Sequence, residues 1–217
     1  MTGLGGKPPP RVDPDNDAPS RRFDATVRGL VRHIDDAIGH ALDHVDLDAT
    51  LVVFTSDHGD YGGNRGLLRK NPWLPFDDLA RVPLAVAGLD VARGRRERAV
   101  VQSCDFALTC LDYAGIVPPE RYVFETRSLR PLLEGAAAGT RDERAVFCAT
   151  TMGWPMVRKD RFKYIRHEPT GTGALFDLER DPVESTDLSG DPGYASVLAE
   201  LTALLDDEMR RPVLDPE

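Results

Sequence analysis

The sequence predicts an α/β fold that closes on a small antiparallel sheet with a terminal helix, and three observations carry this expectation. A long stretch from Phe23 repeats apolar residues at helical steps; a short β-branched run, Thr50–Thr55, ends in a polar, glycine-rich loop; and the last third alternates strand-like runs with turns before a leucine-rich helix. A chain of 217 residues holds one full-sized domain, or a domain with a small appendage, and can bury a real core. With 41% hydrophobic and 29% charged residues, the composition excludes a wholly disordered, collagen-like or membrane-spanning chain.

The elements follow in order. Residues 1–22 hold Gly3, Gly5, Gly6, Pro8–Pro10, Pro14 and Pro19 among aspartates without apolar periodicity, and read as an extended arm. From Phe23, the residues Val27, Leu30, Val31, Ile34, Ile38, Leu42 and Val45 draw one helical face that ends near Asp46. Thr50–Thr55 (TLVVFT) reads as a buried parallel strand, and its carboxyl end, where open α/β sheets place ligands, runs into Ser56-Asp57-His58-Gly59. A glycine-rich loop, Gly59–Gly66, leads to Lys70 and then to a second strand at Val82–Ala87. Gln102–Ala114 forms a helix that Gly115 is placed to end. Ala145–Thr150, Met156–Arg166 and Ala174–Leu178 read as three strands, and Tyr194–Met209 as a helix with Val197, Leu198, Leu201, Leu204 and Leu205 on one face.

Charge and cysteine usage narrow the function. The 27 basic against 36 acidic residues give a net charge of −9, which argues against a phosphate-backbone binder; the cluster Arg93, Arg95, Arg96 and Arg98 reads as a solvated turn. Cys104, Cys110 and Cys148 form no CxxC pair and read as core residues or free thiols. No leader or membrane span is visible in the sequence, so cytoplasm is the default expectation.

Asp57 and His58 pair a carboxylate with an imidazole at a strand end, beside a glycine that permits close backbone approach. Such a pair suits a divalent metal, with Lys70 neutralising an anion held there; it also fits a capped strand end beside a solvated lysine. His40 and His44 stand at i, i+4, but with His33 they read as a polar helix face, since no third ligand is evident. His167, after the RFKYIR run, is expected to be exposed at a turn, and Trp73 and Trp154 flank turns.

The order TSDHGD, a GG loop with Gly66-Leu67, Lys70 and FDDLARVPLAVAG resembles the sulfatase family of alkaline-phosphatase-like metal-dependent hydrolases. There a strand ends in TSDHG or TSDNG, followed by a loop of the type GEHGLWGK and a segment like YEEXXRVPL; Lys70 follows Asp57 by thirteen residues, as in that pattern. VRHIDDAIGHALDHV, SCDFALTCLDYAGI with RSLRPLLEG, MVRKDRFKYIRH and ALFDLERDPVESTDLSGDP extend the resemblance across residues 23–211. It implies an alkaline-phosphatase-like sandwich, with a partial α/β domain over 23–140 and a small antiparallel sheet plus helix over 141–217.

Carried over by position, the resemblance makes Asp57 and His58 metal ligands and Lys70 a sulfate contact. The implied metal is divalent: calcium suits an oxygen-rich site, with manganese or magnesium as alternatives given the nitrogen of His58. Arg65 stands where the family has histidine, and either contacts an anionic substrate or faces solvent; Trp73 lines a pocket or packs. Sulfatases mature a cysteine or serine in C/S-x-P/A-x-R to formylglycine, and an early Asp-Asp pair completes their metal site. None of the three cysteines begins such a motif, Lys7–Arg11 lacks the nucleophile, and Asp35-Asp36 lies in a helix matching a non-metal part of the family.

The resulting expectation is the C-terminal portion of a sulfate-ester hydrolase, roughly half of a catalytic unit and inactive by itself. Its implied partners are a sulfated small molecule or glycan and a separate N-terminal sulfatase half, with neither nucleic acid nor membrane. A noncatalytic module that binds an anionic ligand or partner, and a phosphoesterase-branch metal hydrolase, are the alternatives.

Overall fold

The computed structural model describes residues 18–70, 74–118, 126–135 and 144–211. The chain divides into two compact units, residues 1–89 and 90–217. Among the described residues, no helix is long and apolar enough to cross a membrane.

The first unit opens on helix α1, Ala18–Leu42. It begins earlier than the periodicity predicts: Ala18–Arg22 are helical rather than part of an extended arm, whose remaining residues lie outside the described ones. Exposed pairs stand at i, i+4, Arg28 Nε to Asp24 Oδ2 at 2.8 Å and Arg32 to Asp36 at 3.6 Å, the spacing at which opposite charges on a helix surface are neighbours. The apolar face is present but uncovered, with Leu30 55%, Val31 60% and Ile34 48% exposed.

Strand β1, Val52–Thr55, pairs antiparallel with β2, Leu84–Ala87, in the register Val52 with Ala87 through Thr55 with Leu84. This corrects the expectation of a buried parallel strand. The apolar run gives a strand, but its pairing partner sets the direction, and Phe54 and Leu84, which point to opposite faces of this ribbon, are both exposed. Between the strands, Gly59–Lys70 folds back on the segment 74–80, which holds the short helix α2, Asp77–Ala80, around a core of Tyr61, Leu67 and Leu79 with Phe76 packed against it.

In the second unit, α3 spans Asp105–Tyr113 and α4 spans Arg130–Leu133. Gly115, at φ +67°, ends α3 as its position suggests: its N–H bonds the Asp112 carbonyl, and the N–H of Ile116 bonds that of Leu111. The helices are tied by the Thr109 hydroxyl, which donates to the Asp105 carbonyl and accepts from the Leu129 N–H, both at 2.8 Å.

The sheet has four strands rather than three, in the order β3 (Val146–Cys148), β4 (Met156–Lys159), β5 (Phe162–Arg166) and β6 (Gly173–Asp177), all antiparallel. The predicted strand Met156–Arg166 is a hairpin that turns at Asp160-Arg161, with Asp160 in the left-handed region at φ +54°. A row of paired residues, Phe147, Val157, Tyr164 and Leu175, faces Leu201 and Leu205 of α5, Ala195–Arg210. The opposite face is also buried, with Lys163, Ile165 and Phe176 almost inaccessible.

His167 corrects a second expectation. It sits beside a turn but is only 5% exposed, its ring stacked on Trp154 at 4.4 Å and its Nδ1 2.9 Å from the Thr170 hydroxyl. The β3–β4 and β5–β6 loops leave the same end of the sheet and close on each other, the Glu168 N–H donating to the Gly153 carbonyl at 2.9 Å, and this buries the histidine.

Candidate functional site

Three of the residues singled out from sequence meet where β1 ends. His58 Nδ1 lies 2.8 Å from the Gly59 carbonyl, which only accepts, so Nδ1 is the donor there and the ring turns its Nε2 outward. Lys70 Nζ approaches that Nε2 at 3.3 Å, and Asp57 Oδ2 stands 3.5 Å from it. The Asp57 side chain is 83% exposed and that of His58 43%, so the pair opens to solvent. The N–H of His58 donates to Asp57 Oδ1 at 2.8 Å and, with the Coulombic pull of the His58 ring and a bond from the Ser56 hydroxyl, holds the carboxyl below its ordinary range.

The loop that returns the chain to Lys70 is docked on α2. Gly59 N–H donates to the Leu79 carbonyl at 2.9 Å, and buried Tyr61 sends its hydroxyl to the Leu74 carbonyl at 2.7 Å. Asp78 receives both Asn64 Nδ2, at 2.5 Å on Oδ1, and Arg65 Nε, at 3.2 Å on Oδ2. The Arg65 guanidinium lies 3.7 Å from the centre of the Phe76 ring, and its side chain is 21% exposed. Arg65 is thus engaged with Asp78 and Phe76, while Trp73 lies outside the described residues.

The donor set suits half of a divalent-cation site: an ionised carboxylate oxygen and an imidazole lone pair of fixed tautomer, about one ion's width apart. Among the described residues, no three His, Cys, Asp or Glu side chains gather closely enough to hold an ion together. His33, His40 and His44 are solvent-exposed, and Asp35 and Asp36 lie exposed on α1. All three cysteines are free.

Two family models match the chain: Sulfatase over residues 8–116, and N-sulphoglucosamine sulphohydrolase, C-terminal, over residues 72–211. The chain belongs to the sulfatase family. Among the sulfatase chain's relatives, the multifunctional alkaline phosphatase superfamily protein PehA of Trinickia caryophylli is 31% identical over 83% of this chain and 39% of its own length. Choline-sulfatase of Rhizobium meliloti is 34% identical over 81% of this chain and 35% of its own. A solved 2-O GAG sulfatase superposes with a TM-score of 0.75 at 26% identity, covering 89% of this chain and 44% of that one. Another solved structure, of a protein in complex with its substrate D-glucosamine-2-N,6-O-disulfate, gives a TM-score of 0.69 at 26% identity over 86% of this chain and 39% of that one. The sulfatase chain therefore has the alkaline-phosphatase-like fold of these neighbours and spans about two fifths of the length of the relatives it matches.

Residue-level reading of the sequence did not find Asn64, Phe76 or Asp78. Their signal was present in FDDLARVPL, a segment that matches the family pattern, but a carboxylate that binds a loop looks in sequence like any acidic residue at the start of a helix.

Proposed function

We propose that this chain supplies part of the metal and sulfate site of a sulfate-ester hydrolase. The observation that carries the reading is the convergence on His58 Nε2 of Lys70 Nζ, at 3.3 Å, and Asp57 Oδ2, at 3.5 Å, in sequence-matched positions at the end of β1. Asp57 and His58 would hold a divalent ion, calcium in our reading with manganese or magnesium as competitors, and that ion supplies charge neutralisation for the nonbridging oxygens of the bound ester. The bonds that Asp57 accepts favour its charged form. The proton on His58 Nδ1 is kept by Gly59, which leaves Nε2 as the ligand atom. Lys70 brings its ammonium to the same point and binds the sulfate.

The substrate class in this reading is a sulfated small molecule or glycan. The choline-sulfatase relative and the neighbour solved with a disulfated glucosamine support it. The partial α/β domain is assigned to residues 23–140 and the small sheet with its helix to 141–217. None of the cysteines stands in the formylglycine motif, so the 217-residue chain is expected to bind sulfate without turning over an aryl sulfate, the nucleophile coming from a separate sulfatase segment.

Calorimetric titration of the chain with calcium and manganese, then with inorganic sulfate on the metal-loaded protein, tests the site. Asp57→Asn should weaken metal binding at least tenfold, whereas Lys70→Ala should weaken sulfate binding tenfold and spare the metal. Metal affinity untouched by Asp57→Asn, or sulfate binding untouched by Lys70→Ala, overturns the assignment, and turnover of 4-nitrophenyl sulfate by the chain alone overturns its inactivity.

A further inference from the structure

Asp57-His58 and Lys70 flank a single loop, so their meeting depends on the path of the residues between them. That path is set from outside the loop. Asp78 uses one carboxylate oxygen for Asn64 Nδ2 and the other for Arg65 Nε, so a single side chain bonds two consecutive residues of the loop. Arg65 adopts φ +58° and ψ +19°, a left-handed backbone that a non-glycine residue keeps only when its surroundings enforce it. Here the enforcement comes from the Asp78 ion pair on one side and the Phe76 ring, 3.7 Å from the guanidinium carbon, on the other. The backbone beneath leaves no slack, since Gly59 sits directly on the Asp78 carbonyl.

Resting on the sulfatase reading of the site, we propose that Asp78 is a positioning residue for it. By holding Asn64 and Arg65 together, its carboxylate clasps the 59–66 loop to α2 in the conformation that delivers Lys70 to His58. Arg65 then serves the loop: its charge is spent on Asp78 and its plane on Phe76, and substrate contact falls to Lys70. The proposal adds a role for a residue that touches neither metal nor sulfate, and it explains how a loop carrying Asn64-Arg65 holds its shape.

Lysine labelling reads this directly, because the chain has only four lysines, Lys7, Lys70, Lys159 and Lys163. Lys163 is fully buried and Lys159 is paired with Glu200 at 2.7 Å, so both act as references for the second unit. The purified chain is treated with an amine-acetylating reagent and the peptides are quantified by mass spectrometry, with and without manganese chloride and sodium sulfate. In Asp78→Asn, Lys70 should label at least fivefold faster than in the wild type while Lys159 and Lys163 keep their rates. Asn64→Ala, which removes half of the clasp and no charge, should give a smaller rise in the same direction. Lys70 rates equal to wild type in both variants overturn the proposal. Protection of Lys70 by manganese and sulfate in the wild type that survives intact in Asp78→Asn also overturns it. If the wild type shows no such protection, the sulfate reading of the site fails, while the ligand-free rates still decide the role of Asp78.

Discussion

A methyl group at Gly59 would lie 2.0 Å from the Asp78 carbonyl oxygen, a distance that real contacts do not reach. Gly59→Ala must therefore push the loop off α2, and metal binding at Asp57 and His58 should fall at least tenfold in titration calorimetry; full retention would mean that the loop does not position the pair. Asp105 shows a different single-residue control. Its side chain is buried, which alone raises its pKa, but bonds from the Arg144 guanidinium and from the N–H groups of Gln102 and Arg127 outweigh burial and leave the net shift downward. The folded chain then releases this proton more readily than the unfolded chain. The stabilisation is complete above the unfolded carboxyl value of about 3.9 and is lost as pH falls through the lower folded value. Asp105→Asn should flatten the acid limb of the stability curve for the second unit, measured by denaturant titration between pH 3 and 6, and an unchanged limb would show that other carboxylates dominate it.

At the scale of elements, the sheet of the second unit carries a charge inside it. Lys163, in the middle of β5, meets Glu184 at 2.8 Å with both side chains essentially inaccessible. Lys163→Met strands the glutamate and should cost about 3–5 kcal/mol in chemical denaturation, whereas adding Glu184→Leu should recover most of that loss, since an apolar pair of similar volume is tolerated where a lone buried charge is not. A double variant as unstable as the single one would count against this. The same strand shows what sequence patterning can and cannot reveal. The apolar and aromatic character of Met156–Arg166 announced β structure, and the α5 stripe announced its cover, because burial on a pleated or helical face leaves a period. The reversal at Asp160-Arg161 left no glycine or proline to mark it, so a hairpin read as one strand. His167 read as exposed because its burial comes from a second loop, thirteen or more residues away in sequence at Trp154, and no local pattern encodes that closure. In the candidate site, the family resemblance singled out Asp57, His58 and Lys70, whose side chains the structure brings to His58 Nε2, whereas Asp78 was not singled out, because its contacts are with Asn64 and Arg65 across a fold of the chain.

Across the whole molecule, the two units differ in what backs their secondary structure. In the second, Val157, Tyr164 and Leu175 from three strands close on Leu201 and Leu205 of α5, and each fully buried large side chain contributes about 1.5–3 kcal/mol. In the first, the β1–β2 ribbon has only two strands, and Phe54 and Leu84, on opposite faces, are each 40% exposed. A two-stranded ribbon is marginal in water without a covered face. Helix α1, although longer than α5, has no buried side chain among its described residues and rests on propensity and surface pairs, which stabilise a helix far less than packing does. Local opening should follow this division rather than element length. In hydrogen–deuterium exchange followed by mass spectrometry, amides of α1 and of β1–β2 should exchange at least about a hundredfold faster than those of β4, β5 and α5, a gap of about 2.7 kcal/mol. Protection of α1 equal to that of α5 in the isolated chain would show that its apolar face is covered in solution, and would refute the hierarchy.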